Sequence, residues 1–178
     1  MTEQEIIQGC IKQNRHCQQA LFNLYATNFM TICLRYANSQ MEAEDMMQEG
    51  FIAIFKNIEQ FKNNGSFGGW LRRIIVNSAL GVLRKNKFYF SEIDDNTNNF
   101  SSIDAYSYSN LGEEDLLKLI NNLPKGYKIV FNLNIIEGYS HDEIAKMLDI
   151  QPATSRSQLV KARKVLQQQI LELQKIAV

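Results

Sequence analysis

The stretch from Gly138 to Val165 constrains the chain more than any other, because local chemistry marks both ends of two helices and the turn between them. Ser140-His141-Asp142-Glu143 is a capping box. The Ser140 hydroxyl can accept the Glu143 backbone N–H, and the Glu143 side chain can reach back to the Ser140 N–H. The short helix that follows buries Ile144, Ala145 and Leu148 at helical spacing and breaks at Asp149-Ile150-Gln151. Pro152 then suits the first turn of a second helix, where a missing N–H costs nothing. The second helix carries Ser155, Leu159, Ala162 and Leu166 as an inner stripe. Its other faces are expected to present Thr154, Arg156, Ser157, Gln158, Lys161, Arg163 and Lys164, all able to contact phosphates or base edges. Two helices joined by a tight turn, the second one basic, suit a DNA major groove. An ordinary helical hairpin with a solvated charged face has the same local pattern.

The rest of the composition limits what surrounds this pair. Two prolines and nine glycines in 178 residues favour helices over a turn-rich β fold. Lysines and arginines balance aspartates and glutamates at 19 each, so any nucleic-acid contact must come from local charge patterning. No run approaches the roughly 18 apolar residues that span a membrane. No basic segment followed by an apolar one opens the chain, so the expectation is a cytoplasmic protein without membrane insertion. Cys10, Cys17 and Cys33 match no common zinc spacing, even with His16 beside Cys17, and read as small buried apolar residues. The sequence holds no nucleophile–base pair, phosphate-cradling glycine loop or paired-carboxylate site. The expectation is a protein with no catalytic residues, no metal and no cofactor.

Charge changes sign in blocks, and the blocks divide the chain. From Phe88 to Leu117 there is no Lys or Arg, while Glu92, Asp94, Asp95, Asp104, Glu113, Glu114 and Asp115 are acidic. This stretch is rich in Ser and Asn and lacks helical periodicity until about Leu111, which predicts a flexible acidic linker. The expected organisation is one helical domain at 1–90, the linker at 91–112 and a second helical domain at 113–178. No segment alternates strictly between polar and apolar residues, so the fold class is all-α: two small helical domains, the C-terminal one a helix-turn-helix.

Four helices are expected in the first domain. One follows the capping box Thr2-Glu3-Gln4-Glu5; a second runs from about Arg15 to Ala37; a third opens at Ser39-Gln40-Met41-Glu42, also a capping box, and reaches about Phe61. The loop Lys62–Ser66 leads into the fourth, Phe67 to about Lys87. In the second domain, helices over about Glu113–Leu123 and Lys125–Glu137 precede the helix-turn-helix. The fourth helix contains Arg72, Arg73, Arg84, Lys85 and Lys87 and no acid, with Phe67, Trp70, Phe88 and Tyr89 interleaved or flanking. Cations beside aromatics suit single-stranded or distorted DNA, and Asn77 is placed to bond a base edge. The core is the expected place for Trp70 itself. The third helix has the opposite sign: Glu42, Glu44, Asp45 and Glu49 cluster in its first turns beside Gln48. The helix dipole favours acids there by a few tenths of a kcal/mol each. A docking face for a basic protein accounts for them equally well.

Taken together, Glu44-Asp45-Met46-Met47-Gln48-Glu49-Gly50-Phe51, then Phe67-Gly68-Gly69-Trp70-Leu71-Arg72-Arg73-Ile74 with Asn77, then Gly138-Tyr139-Ser140-His141-Asp142-Glu143-Ile144-Ala145, resemble bacterial RNA polymerase sigma factors. The two-domain layout is similar to the extracytoplasmic-function (ECF) group. The resemblance covers roughly Ile6 to Ile170. It implies a first domain (region 2) that docks on the clamp of core RNA polymerase and opens the promoter −10 element. It implies a second domain (region 4) that reads the −35 element and rests on the polymerase flap. Carried over by position, Asp45, Gln48, Glu49 and Phe51 match the core-binding helix. The loop Asn63, Asn64, Ser66 and Phe67, with Trp70, Arg72, Arg73, Asn77, Arg84 and Lys85, matches the −10 region. Thr154, Arg156, Ser157, Gln158, Lys161 and Arg163 match the −35 recognition helix. The implied partners are core polymerase, promoter DNA and an anti-sigma factor. The chain departs from the family at Gly81, where Asp or Asn is frequent, at Gly68-Gly69 in place of a commoner polar pair, and at Gln151, where Ser is the usual N-cap. The alternative is a stand-alone helix-turn-helix regulator, which would bind duplex DNA as a dimer.

Overall fold

The computed structural model describes residues 1–85 and 113–176. Within these residues the chain is helical, with eight α-helices and no strand. It divides into two compact units, Met1–Phe88 and Tyr89–Val178. The expected acidic linker at 91–112, together with Lys87, Phe88 and Tyr89, lies outside the described residues.

In the first unit, α1 (Glu3–Ile11) begins with the full Thr2–Glu5 capping box, and α2 (Arg15–Tyr36) is capped by Asn14, whose side chain accepts the His16 and Cys17 N–H groups. Ser39 caps α3 (Gln40–Asn57) by accepting the Glu42 N–H at 3.2 Å. The expected second half of that box is different. The Glu42 carboxylate accepts the Asn38 backbone N–H at 2.7 Å and the Asn38 side-chain amide at 2.8 Å, one residue earlier than a capping box requires. A 3-10 turn, Ile58–Gln60, completes the helix expected to reach Phe61. A loop then leads to α4 (Phe67–Lys85).

These helices enclose a core of Leu21, Phe29, Ile32 and Tyr36 from α2, Ala43, Met46 and Ile54 from α3, and Leu71, Ile75, Val76, Ala79, Leu80 and Leu83 from α4. Cys10 and Cys33 are buried, and desolvation pushes their thiols up to about 11 and about 12, so both act as small apolar side chains. The α3–α4 contact is the most extensive in the unit. It closes at Gly50, where a Cβ would run into the Ile75 side chain and lie 3.6 Å from the Ile75 Cα.

In the second unit, α5 (Glu113–Asn121) and α6 (Lys125–Phe131) precede a π-helical turn at Asn132–Ile136. One helix to Glu137 was expected. The turn widens the end of that helix, with the Glu137 N–H bonded to the Asn132 carbonyl. Gly138 then takes a left-handed φ of 79°, and the Tyr139 N–H reaches back to the Leu133 carbonyl at 2.9 Å. Next come α7 (His141–Leu148) and the long α8 (Pro152–Ile176). Leu119, Ile120, Leu123 and Tyr127 pack with Ala162, Leu166 and Ile170 of α8. Among the described residues no helix is long and apolar enough to cross a membrane.

The close approach at Gly50 makes a direct prediction. Gly50→Val must push Ile75 out of a core position that is 0% exposed. It should destabilise the first unit by about 1–3 kcal/mol in denaturant unfolding, the usual cost of overpacking.

Candidate nucleic-acid and protein interfaces

The helix-turn-helix forms as its local signals require. The Ser140–Glu143 capping box is complete, and α7 ends at Asp149 in the left-handed conformation, φ 56°. Ile144, Ala145 and Leu148 of α7 and Leu159, Ala162 and Leu166 of α8 are all buried. The inner stripe also contains Ser155, a fully buried hydroxyl in an apolar row. Its partner is the His141 imidazole on α7, with Nδ1 2.9 Å from the Ser155 Oγ. This bond ties the start of α7 to the start of α8. Sequence reasoning missed it, although a lone Ser in a buried stripe signals that some polar partner must exist.

On the outer face of α8, Arg156, Ser157, Arg163 and Lys164 are exposed, and Thr154 and Lys161 are half-buried. The Ser157 hydroxyl donates to the Thr154 carbonyl at 3.0 Å. Gln158 departs from expectation. It is 4% exposed, and its Oε1 has no hydrogen-bond partner in the structure. Helical phase explains this, since 158 follows 155 by three residues and precedes 162 by four, which places it on the buried face.

The second cluster surrounds the start of α4. Asn63 and Gly65 both adopt left-handed backbone, φ 55° and 99°, so the loop presents Asn63, Asn64 and Gly65 to solvent in a tight arc. Ser66 closes the arc as the N-terminal cap: its Oγ accepts the Gly69 N–H at 3.1 Å and its carbonyl accepts the Trp70 N–H. Phe67 is 2% exposed and belongs to the core. Its ring centroid lies 5.1 Å from Phe61 and 6.1 Å from Trp70, and Trp70 lies 5.5 Å from Phe61. Three rings therefore form the wall that holds the loop, with Trp70 half-buried in it. Ser66 and Phe67, both expected at the DNA, are a cap and a core residue. Beyond the wall, Arg72, Arg73, Asn77, Arg84 and Lys85 are all exposed. Trp70, Arg73, Asn77 and Arg84 share one helical stripe. Lys85 pairs with Glu49 of α3 at 3.3 Å, both ends exposed.

The third cluster lies on α3. Asp45, Gln48 and Glu49 are exposed as expected. Phe51 is not: at 5% exposure it is packed 4.7 Å from the Phe22 ring and 5.5 Å from Phe29. The exposed apolar residues of this helix are Met41 at 73% and Ile52 at 49%. Spacings of four, three and four place Met41, Asp45, Gln48 and Ile52 on a single stripe, which the residue types alone did not reveal.

Three exposed clusters, one acidic and two basic, thus sit on two helical units. Residues 21–89 match the family model for Sigma-70 region 2, and residues 113–166 match that for Sigma-70, region 4, together well over half of the chain. A relative from Haemophilus influenzae, an ECF RNA polymerase sigma-E factor, is 28% identical over 189 residues, spanning 97% of this chain and 100% of that protein. The chain belongs to the ECF sigma factors. The ECF RNA polymerase sigma factor SigW of Bacillus subtilis is likewise 28% identical, over 94% of this chain and 98% of that protein. The fold is similar to that of the sigma factor RpoE from Bartonella quintana, solved in complex with the anti-sigma factor NepR. That match has a TM-score of 0.53 and 20% identity, covering 84% of this chain and 94% of the other. This sigma factor is therefore a promoter-recognition subunit, and the stand-alone regulator is not favoured.

The bond between α7 and α8 generates a pH prediction. Burial lowers the His141 pKa, and the nearby Arg156 and Arg163 lower it further against the opposing charge of Asp142. A histidine depressed in the folded state binds fewer protons there than in the unfolded chain. Its contribution is thus intact above the ordinary value of 6.5 and is lost as pH falls below it. Thermal unfolding followed by circular dichroism should show a smaller loss of stability on acidification in His141→Gln than in the wild type.

Proposed function

We propose that this sigma factor works through three surfaces of opposite sign. Residues 1–90 act as the region 2 domain and 113–178 as the region 4 domain, with 91–112 as the acidic connector. The stripe Met41, Asp45, Gln48 and Ile52, with Glu49 at its edge, docks on a basic helical element of the polymerase clamp. Asn63, Asn64 and Gly65, backed by the Phe61–Phe67–Trp70 wall, receive a base from the opened −10 strand. Arg72, Arg73, Asn77 and Arg84 hold the flanking phosphates and base edges. Arg156, Ser157, Arg163 and Lys164, with Thr154 and Lys161 at the margin, engage the −35 duplex while region 4 rests on the flap. The protein supplies specificity to a catalytic partner, has no catalytic residues of its own, and acts in the cytoplasm. An anti-sigma factor is a further partner on this reading, since the similarly folded RpoE was solved with one.

The observation that carries the proposal is the segregation of charge in a chain whose net charge is zero. Acids cluster on the exposed face of α3, and cations without acids line the exposed faces of α4 and the first turns of α8. A non-specific nucleic-acid binder would gain nothing from the acidic face. A protein that must bind a basic protein surface and a polyanion at once needs both.

Two experiments test the surfaces separately. Ile52→Asp combined with Asp45→Ala should cut retention on immobilised core polymerase at least tenfold with helicity unchanged. Normal retention would refute the docking stripe. Phe51→Ala should instead lower the thermal midpoint, because it removes a core ring. On −35 duplexes varied one base pair at a time, Arg156→Ala should erase about 1–3 kcal/mol of discrimination at one or two positions. Lys161→Ala should weaken all sequences evenly and shallow the salt dependence. Unchanged base preference in Arg156→Ala would exclude a base contact.

A further inference from the structure

The bond that ties α7 to α8 uses one ring nitrogen of His141 and leaves the other. His141 is half-buried, and its Nδ1 lies 2.9 Å from the Oγ of the fully buried Ser155. A hydroxyl can donate to a bare ring nitrogen or accept from a protonated one, so this bond holds the ring in either charge state. The two nitrogens of an imidazole diverge. With Nδ1 held at the inner stripe, Nε2 faces away from it and has no hydrogen-bond partner among the described residues.

The charges that act on this ring are mostly positive. Arg156 and Arg163 of α8 oppose its protonation, and Asp142, its neighbour on α7, favours it. Glu143 is engaged at the cap, where its carboxylate accepts the Ser140 N–H at 2.9 Å. The π-helical turn Asn132–Ile136, which also packs on α7, has no titratable side chain. His141 is moreover the first residue of α7, where the helix dipole is positive. Burial, Arg156 and Arg163 together hold its pKa below the ordinary 6.5 in the free chain. Arg156 is also one of the exposed residues set against the −35 duplex. A phosphate bound there offsets the repulsion between the guanidinium groups and an imidazolium, and offers Nε2 an acceptor.

We propose that binding of the −35 duplex takes up a proton from solvent at His141, whose Nε2–H donates to a backbone phosphate beside Arg156. The bound form then holds more protons than the free one, so affinity for the −35 element rises as pH falls. The same protonation destabilises the free helix pair, and DNA offsets that loss. A phosphate carries no sequence information, so the contact adds affinity and no base preference. This inference rests on the reading that the start of α8 engages the −35 duplex.

The test is a histidine titration of the full chain by ¹H–¹⁵N NMR, free and with −35 duplex at a concentration that saturates binding. The chain has two histidines, so the spectrum of His141→Gln assigns both resonances. Duplex should raise the His141 pKa and leave His16, in the first unit, unmoved. In parallel, holoenzyme affinity for a selected promoter is read by fluorescence anisotropy at pH 8 and at pH 6. On acidification the wild type should gain about three- to fivefold over His141→Gln, the worth of one half-exposed ion pair. Replacing a single −35 phosphate by a neutral methylphosphonate should abolish that gain at one position and spare it at the others. If His141→Gln fails to fold, the wild-type titration and the methylphosphonate scan decide without it. An unmoved pKa, with Arg156→Ala still altering base preference, would overturn the proton uptake and leave the −35 reading standing. An unmoved pKa together with binding indifferent to every −35 base pair would overturn both. A raised pKa with a gain that survives every methylphosphonate would place the effect in the folding of the helix pair and overturn the phosphate contact.

Discussion

The contact between α3 and α4 at Gly50 is the constraint on which the first unit depends. A glycine on one helix against Ile75 on the other lets the two backbones approach until Met46, Ile54, Leu71 and Leu80 share one core. Burying those faces fixes, by helical phase, which residues remain outside. On α3 these are Met41, Asp45, Gln48 and Ile52; on α4 they are Arg73, Asn77 and Arg84. The packing therefore fixes the placement of charge. The border is marked by the Lys85–Glu49 pair, exposed at both ends and worth about 0–1 kcal/mol, so its contribution to stability is small.

The second unit solves a similar problem with a polar bond. An apolar residue at 155 would pack against α7 from many angles, whereas a hydroxyl bonded to His141 admits few. The bond joins the first residues of α7 and α8, next to Arg156, so it steadies the start of the helix proposed to engage the −35 duplex. The Ser140–Glu143 capping box fixes where α7 starts, and the left-handed Gly138 and Asp149 fix where the preceding helix and α7 stop. Orientation of the outer face then follows from backbone chemistry within a few residues of the turn.

Much of this was legible in the sequence because the signals are local. Caps at Thr2, Ser39 and Ser140, Pro152 at a helix start and the apolar spacings placed the helices within a few residues. Assignments made by residue type and not by phase are the ones whose placement differs from expectation. Gln158 and Phe51 are chemically plausible contacts, but each falls on the buried side of its helix, and Ile52, one position along, takes the exposed place. Ser66 looked like a loop residue free to touch DNA, yet a serine just before a helix is first a candidate cap. The His141–Ser155 bond spans 14 residues and two helices, and the π turn depends on an i−5 bond, so neither has a periodic signature.

On the proposed function, the chain confers promoter choice on a polymerase by joining an acidic docking face to two basic DNA faces. The most direct measurement is run-off transcription by core polymerase on a pool of random-sequence duplexes, with and without the chain, followed by sequencing of the transcripts. RNA should start only when the chain is present, at a fixed distance from two shared upstream elements. Transcripts with no common upstream sequence, or selection of duplexes by the chain as effectively without polymerase as with it, would contradict it.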